Sequence, residues 1–218
     1  MKIRVGTWNL DGRWDTRHAS LLRDADCDIW LLTEVNEKLT LPGYFSHSTV
    51  EPMARRKAWA RVLARGPLQP LNDPHPASAA ATIDGITYCS SILPWKGCGA
   101  VHPWTGANHD EWTRHAVDQL AATLPAGPLV WGGDWNHALS GDEHAGSKAG
   151  RAHVLALVEA RGLDVPTADL PHRIQGLLSI DHIAIPNAWQ GTPRRIPAEK
   201  DGARLSDHDA YVIDAVQG

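Results

Sequence analysis

The stretch Leu129-Val130-Trp131-Gly132-Gly133-Asp134-Trp135-Asn136-His137 constrains this chain more than any other. Three apolar residues run into two glycines, the pattern of a buried strand entering a tight turn. An acid and an amide then stand two residues apart, and residues i and i+2 share a face of an extended chain. If the extended conformation persists, Asp134 and Asn136 leave the strand end on the same side. Such a pair aligns a water and an oxyanion, or shares a metal. The plain alternative is a polar loop capping the next helix.

The surroundings favour a layered α/β fold. Residues 2–8, 58–64 and 210–215 read as strands, and 27–33 is a continuous apolar run of strand length, buried on both faces. Thr82–Thr87 forms a hairpin around Asp84-Gly85, its second arm continuing to Leu93. Residues 177–185 read as a strand with Asp181 embedded in it. Helical spacing marks 18–25, 110–124 and 147–161, the last with Val154, Leu155, Leu157 and Val158 inward and Gly162 as its cap. Segments 42–52, 69–80 and 190–204 read as loops, rich in Pro, Gly or basic residues. Helices fall between strands rather than in a block. That order predicts two packed sheets with helices outside. No linker or composition shift divides the chain, so residues 1–218 read as one domain.

Net charge is −4, so no global basic field would hold a long duplex. Three cysteines without a CxxC pair fit a reduced compartment and exclude a disulfide framework or zinc ribbon. Neither a signal-like h-region nor a bilayer-length apolar run is visible, and the protein reads as cytoplasmic, without a membrane partner, and monomeric. Ten Trp beside one Phe suggest that some line a cleft.

Polar residues recur at strand ends. Asn9 follows the first strand, Glu34 the second, and Asp134 and Asn136 the central one; Asp181 interrupts a late strand, and Asp207 and His208 precede the last. Strand ends converge on one sheet edge, where loops build sites. Crowded carboxylates repel unless a cation neutralises them. Hard oxygen ligands point to Mg²⁺ or Mn²⁺ rather than zinc. A His beside an acid suits a general base.

These stretches resemble the endonuclease/exonuclease/phosphatase superfamily, the DNase I-like group. The matching segments are Thr7-Trp8-Asn9-Leu10, Leu32-Thr33-Glu34, Gly132-Gly133-Asp134-Trp135-Asn136, Ile180-Asp181-His182-Ile183 and Leu205-Ser206-Asp207-His208, in the family's order across nearly the whole chain. The resemblance implies a four-layered αββα sandwich, two packed mixed sheets flanked by helices. It implies Glu34 as principal metal ligand, helped by Asn9 and Asp207, with Mg²⁺ or Mn²⁺ as cofactor. Asp134 would orient or deprotonate water, Asn136 would bind a phosphoryl oxygen, and His208 would contact the phosphate with Asp181 behind it. The implied activity is hydrolysis of a phosphodiester by activated water, as in a nuclease or endonuclease, on a single-stranded nucleic acid or nucleotide. A phosphatase for a small metabolite or lipid headgroup is the second reading, and a fold-retaining binding module the third.

One departure stands out. Many members carry a His where this chain reads Ser90-Ser91-Ile92-Leu93-Pro94, which removes the expected leaving-group acid; His102 and His109 are the substitutes in the following loop. Arg55, Arg56, Lys57, Arg194, Arg195, Lys200 and Arg204 suggest a basic rim, and Trp14, Trp95, Trp104 and Trp135 offer stacking surfaces. Of these, Arg55, Arg56 and Trp104 are the candidate substrate-binding residues. His137, Asp142, Glu143 and His144 read as a solvated turn, His182 as packed or exposed, and Cys89 as an inert core thiol.

Overall fold

The computed structural model describes residues 2–218. Strand β1 (Lys2–Asn9) leads through helix α1 (Thr16–Ala25) to β2 (Ile29–Asn36). Then come β3 (Phe45–Ser48), β4 (Pro52–Ala54), β5 (Lys57–Ala64), β6 (Gln69–Pro70), β7 (Ser78–Ile83) and β8 (Ile86–Ile92). Helix α2 (His109–Thr123) crosses to β9 (Leu129–Asp134), and α3 (Lys148–Ala160) to β10 (Leu163–Asp164). The chain ends with β11 (Asp181–Pro186), β12 (Trp189–Ile196), the ribbon β13 (Glu199–Lys200) and β14 (Ala203–Arg204), and β15 (Ala210–Gln217). One sheet runs β12-β15-β1-β2-β5-β3, with β4 beside β5; the other runs β10-β11-β9-β8-β7-β6. Each is mixed, because β1 pairs with β2 and β8 with β9 in parallel. Helices α1 and α2 make those two crossovers, as a parallel pair requires.

Alternation along each strand builds four layers. In β2, Ile29 and Leu31 face the second sheet among Val5, Val130 and Ile183, while Trp30 and Leu32 face the α1 residues Leu21 and Leu22. In β9, Val130 joins the inter-sheet core, whereas Leu129 and Trp131 pack with Val117, Leu120, Val154 and Leu157 of α2 and α3. The order is therefore helix, sheet, sheet, helices. Full burial on both faces is what turned residues 27–33 into an unbroken apolar run.

Several segments differ from their sequence pattern. Within 42–52 lies β3, a mostly polar edge strand without an apolar alternation to reveal it. Within 69–80, β6 and the start of β7 are paired, and Ala77, Ser78, Ala79 and Ala80 are fully buried. Small side chains there allow close packing, which composition cannot signal. Most of 190–204 is β12 and the ribbon; β12 is an edge strand, where Pro193 and two arginines are tolerated. Residues 177–180 are a returning loop, so Asp181 begins its strand rather than interrupting it. Leu155 is 39% exposed, a narrower apolar stripe on α3 than expected. Trp8, Trp30, Trp131 and Trp135 are fully buried, so the tryptophans chiefly fill the core instead of a cleft.

Gly133 adopts φ +133, and a Cβ on it would stand 2.0 Å from the Ser91 carbonyl oxygen. That approach seats β9 on β8. Gly133→Ala adds backbone strain to an overpacked contact, and we expect it to cost about 3 kcal/mol. Urea denaturation monitored by tryptophan fluorescence reads this directly; a loss under about 1 kcal/mol would show that β9 shifts freely.

Candidate active site

The two sheets meet at one polar edge. β1 and β2 end there, β15 begins there because it is antiparallel to β1, and in the second sheet Asp134 at the end of β9 pairs with Asp181 at the start of β11. Asn9 bridges the sheets. Its Nδ2 donates to Glu34 Oε1 at 3.2 Å and to Asp134 Oδ2 at 2.9 Å. The lead into β15 is pinned to β1: Ser206 Oγ donates to Asn9 O, the His208 N–H donates to Ser206 Oγ, and Trp8 Nε1 donates to His208 O.

Glu34 reaches the edge through its backbone. Trp30 and Leu32 face α1, and continued alternation would send Glu34 into the same apolar layer. Instead it takes φ +49 between the in-register pairs Thr33↔Ala60 and Val35↔Ala58, and Val35 occupies the α1 face. Asn136 at φ +52 makes a comparable turn. The extended conformation after β9 therefore does not persist. The Asn136 N–H folds back onto Asp134 Oδ1 at 3.1 Å, and its Nδ2 donates to Leu93 O at 3.0 Å, so that among the described residues its second N–H has no partner.

His208 is held by acids. Its Nδ1–H donates to Asp181 Oδ2 at 2.7 Å, its Nε2 lies 3.9 Å from Asp134 Oδ2, and Asp207 stands 4.0 Å away. Burial opposes charge on the ring, but Asp181 and Asp134 outweigh it and push His208 up to about 10. Burial pushes Asp134 up to about 7, aided by Asp181 and Glu34 against His208 and Asn9. Asp181 is pushed up by burial too, and its Oδ1 has no partner. Asp134, Asp181 and His208 offer ligand atoms within 4.8 Å of one another. The site also holds two residues that the strand-end pattern did not mark. Asp11, at φ +51, is raised by burial and by Asp207 and Glu34. Lys57 Nζ donates to Glu34 Oε2 at 2.7 Å. Asp11 lies two residues past Asn9, whose Oδ1 accepts its N–H, and that spacing was the available signal.

Other candidates fall elsewhere. Trp104 is 2% exposed, packed against Trp59 and His75, so it offers no stacking face. Trp135 is likewise enclosed. Arg55 and Arg56 form the tip of the β4–β5 hairpin, next to Lys57, and Arg56 pairs with Glu37 at 3.2 Å. The expected rim of 190–204 is largely committed: Arg195 and Arg204 clamp Asp209, Lys200 pairs with Asp24, and Arg194 donates to Ala25 O. Ser91 is buried, its Oγ accepting from Trp131 Nε1 and Ser78 Oγ, and Ile92 is buried beside it. His109 is fixed by Pro94 O and Ser147, and His102 pairs on the surface with Glu51. Glu143 is not in a solvated turn; it accepts three backbone N–H groups and Arg151. His182 is buried, its Nε2 donating to His137 O. Burial pushes the Cys89 thiol up to about 12.

No family model and no curated protein sequence matches this chain. Solved structures do. The endonuclease domain of the telomere-specific retrotransposon TRAS1 superposes with TM-score 0.66 at 14% identity, over 100% of this chain and 99% of that one. The AP endonuclease LMAP of Leishmania major gives 0.67 at 12%, over 100% and 88%. An endonuclease/exonuclease/phosphatase of Bacteroides vulgatus gives 0.65 at 14%, with both chains fully covered. At these identities the likeness is one of fold: the chain has the DNase I-like architecture, as its motifs implied.

The clamp on His208 is testable by titration. The ring gains its acidic partners on folding, so its stabilisation is complete below about 6.5 and is lost as pH rises through about 10. In NMR the His208 C–H resonance should remain that of an imidazolium at pH 8. Asp181→Asn should bring its midpoint back toward about 6.5. An ordinary midpoint in the wild type would refute the clamp.

Proposed function

We propose that this protein is a metal-dependent phosphoester hydrolase that cleaves phosphodiesters by attack of water on phosphorus. The observation that carries this reading is the pairing, at 3.9 Å, of a buried acid pushed up toward neutrality, Asp134, with a buried imidazolium, His208. One is poised to accept a proton near pH 7, the other to hold charge. Asp134 takes the proton of the attacking water. His208, oriented by Asp181, and the free N–H of Asn136 bind phosphoryl oxygens. The water oxygen bonds to phosphorus as the bond to the leaving oxygen breaks.

The donor set fits a hard cation. Glu34, Asn9, Asp207 and Asp11 supply oxygens at one edge, and Asp11 is pushed up by burial and, beside it, by the negative charge of Asp207 and Glu34, which a cation would relieve. These residues would hold Mg²⁺ or Mn²⁺, which when bound supplies Lewis-acid neutralisation of phosphoryl charge. The solved structures of similar fold include endonucleases, which supports a nucleic-acid or nucleotide substrate. The scarcity of free cations near the site favours a short or single-stranded one, met by Arg55 and Arg56 at the hairpin tip. Ser91 and Ile92 provide no proton donor, so the rate should depend steeply on leaving-group acidity. No described helix is long and apolar enough to cross a membrane.

Bis(p-nitrophenyl) phosphate, with a good leaving group, should turn over with Mg²⁺ or Mn²⁺ and stop with EDTA. Asp134→Asn should lower kcat by about 10²–10⁴-fold, and His208→Ala by about 10²–10³-fold. Plasmid DNA, single strands, RNA and inositol phosphates then identify the substrate class. Absence of metal-dependent turnover on all of them would leave the binding-module alternative.

A further inference from the structure

Lys57 is built into the site more firmly than a surface lysine. It is the first residue of β5 and pairs with Asn36, two residues beyond Glu34. Its Nζ donates to Glu34 Oε2 at 2.7 Å, with both side chains about three-quarters buried, at 25% and 22% exposed. The stem reaches Glu34 past Gly12. A Cβ on Gly12 would lie 2.6 Å from Lys57 Cε, and Gly12 sits at φ +66, a conformation glycine adopts freely. Gly12 is itself fixed: its N–H donates to Glu34 O, and its carbonyl accepts from Asn36 Nδ2. The turn after β1 thus both follows Glu34 and leaves a channel for the lysine. Arg56, at the tip of the same hairpin, pairs with Glu37 instead.

We infer that Lys57 is a resident counter-charge on Glu34 that competes with a divalent cation for the same carboxylate. This rests on the reading of Glu34 as a metal ligand. Glu34 has two oxygens. Oε1 accepts from Asn9 and Oε2 from Lys57, so an entering cation meets an ammonium already on the carboxylate. Two cations sharing one carboxylate in a part-buried edge repel each other with little screening. Lys57 keeps Glu34 compensated and in place without metal, and it weakens metal binding in doing so. It is a positioning residue that sets the cation concentration the site requires, distinct from the groups that meet the phosphate.

Isothermal titration calorimetry of Mn²⁺ into the intact protein tests this without any turnover. Lys57→Met, which keeps the stem and removes the charge, should bind Mn²⁺ about tenfold more tightly than wild type. Lys57→Arg, which restores the charge, should stay within about threefold of wild type. Without metal, Lys57→Met should melt below wild type, and saturating Mn²⁺ should raise its Tm by more than it raises the wild type's. Circular dichroism confirms folding, and Lys57→Gln replaces the Met variant if that one is unfolded. Equal or weaker Mn²⁺ binding by the uncharged variant overturns the competition. Glu34→Gln separates the two readings. If it abolishes binding while Lys57→Met changes nothing, only the competition is wrong. If it leaves binding intact, Glu34 is not a ligand and both readings fall.

Discussion

The Asn9 side chain is the junction on which the site depends. One amide nitrogen donates to Glu34 in its own sheet and to Asp134 in the other. The inter-sheet core of Val5, Leu31, Val130 and Ile183 sets the separation of the two sheets, and the amide spans it at their common edge. A carboxylate at this position would add repulsion between two acids. An amide adds donors and no charge, so it joins them without cancelling the negative potential that the proposed chemistry uses.

That potential is out of balance. Asp11, Glu34, Asp134, Asp181 and Asp207 gather at the edge, opposed by Lys57, His208 and the exposed Arg13 that pairs with Asp11. Burial raises the proton affinity of Asp11, Asp134 and Asp181, and neighbouring carboxylates add to it at each. Backbone strain accompanies it. Asp11, Glu34 and Asn136 are non-glycine residues in the left-handed region, each costing on the order of 1–3 kcal/mol. Burial of β1, β2, β9 and β11 between apolar layers offsets those costs. The site is a locally unfavourable arrangement held by a favourable core.

What was legible in the sequence follows the same division. Central strands such as β2 and β9 announce themselves because burial on both faces leaves no room for polar residues. A single Asn, Glu or Asp at the end of such a run is therefore conspicuous. Edge strands β3 and β12 carry no such pattern, since one side faces solvent and the composition looks like loop. Direction was harder still. Nothing in Leu32-Thr33-Glu34 reveals the left-handed turn that frees Glu34 from the α1 layer. Ion pairing was invisible as well: Arg195 and Arg204 read as rim cations but serve Asp209. Lys57 read as a third member of a basic cluster, whereas its role depends on the channel beside Gly12. The tryptophans misled for a physical reason, because an indole N–H suggests a wet surface, yet Trp131 satisfies its own on Ser91 inside the core.

That last contact bears on the missing leaving-group acid. The Ser91 side chain is committed to Trp131 and Ser78, and its backbone is pressed against Gly133. The position is therefore part of the packing that seats β9, and a larger titratable side chain there would have to displace the strand that carries Asp134. Proton chemistry in the proposed mechanism then concentrates at the sheet junction. Burial pushes the Asp134 carboxyl up, and Asp181 and Asp134 hold the His208 ring above the usual imidazole range, so an acid of raised basicity stands beside a ring that favours its proton. The separation arises from placement: one carboxylate, Asp181, is spent on the ring at 2.7 Å, and the other is left 3.9 Å away. In the proposed mechanism that placement would set a base and a cation against the same phosphoryl group, and a leaving group too basic to depart unaided would have no third group to protonate it.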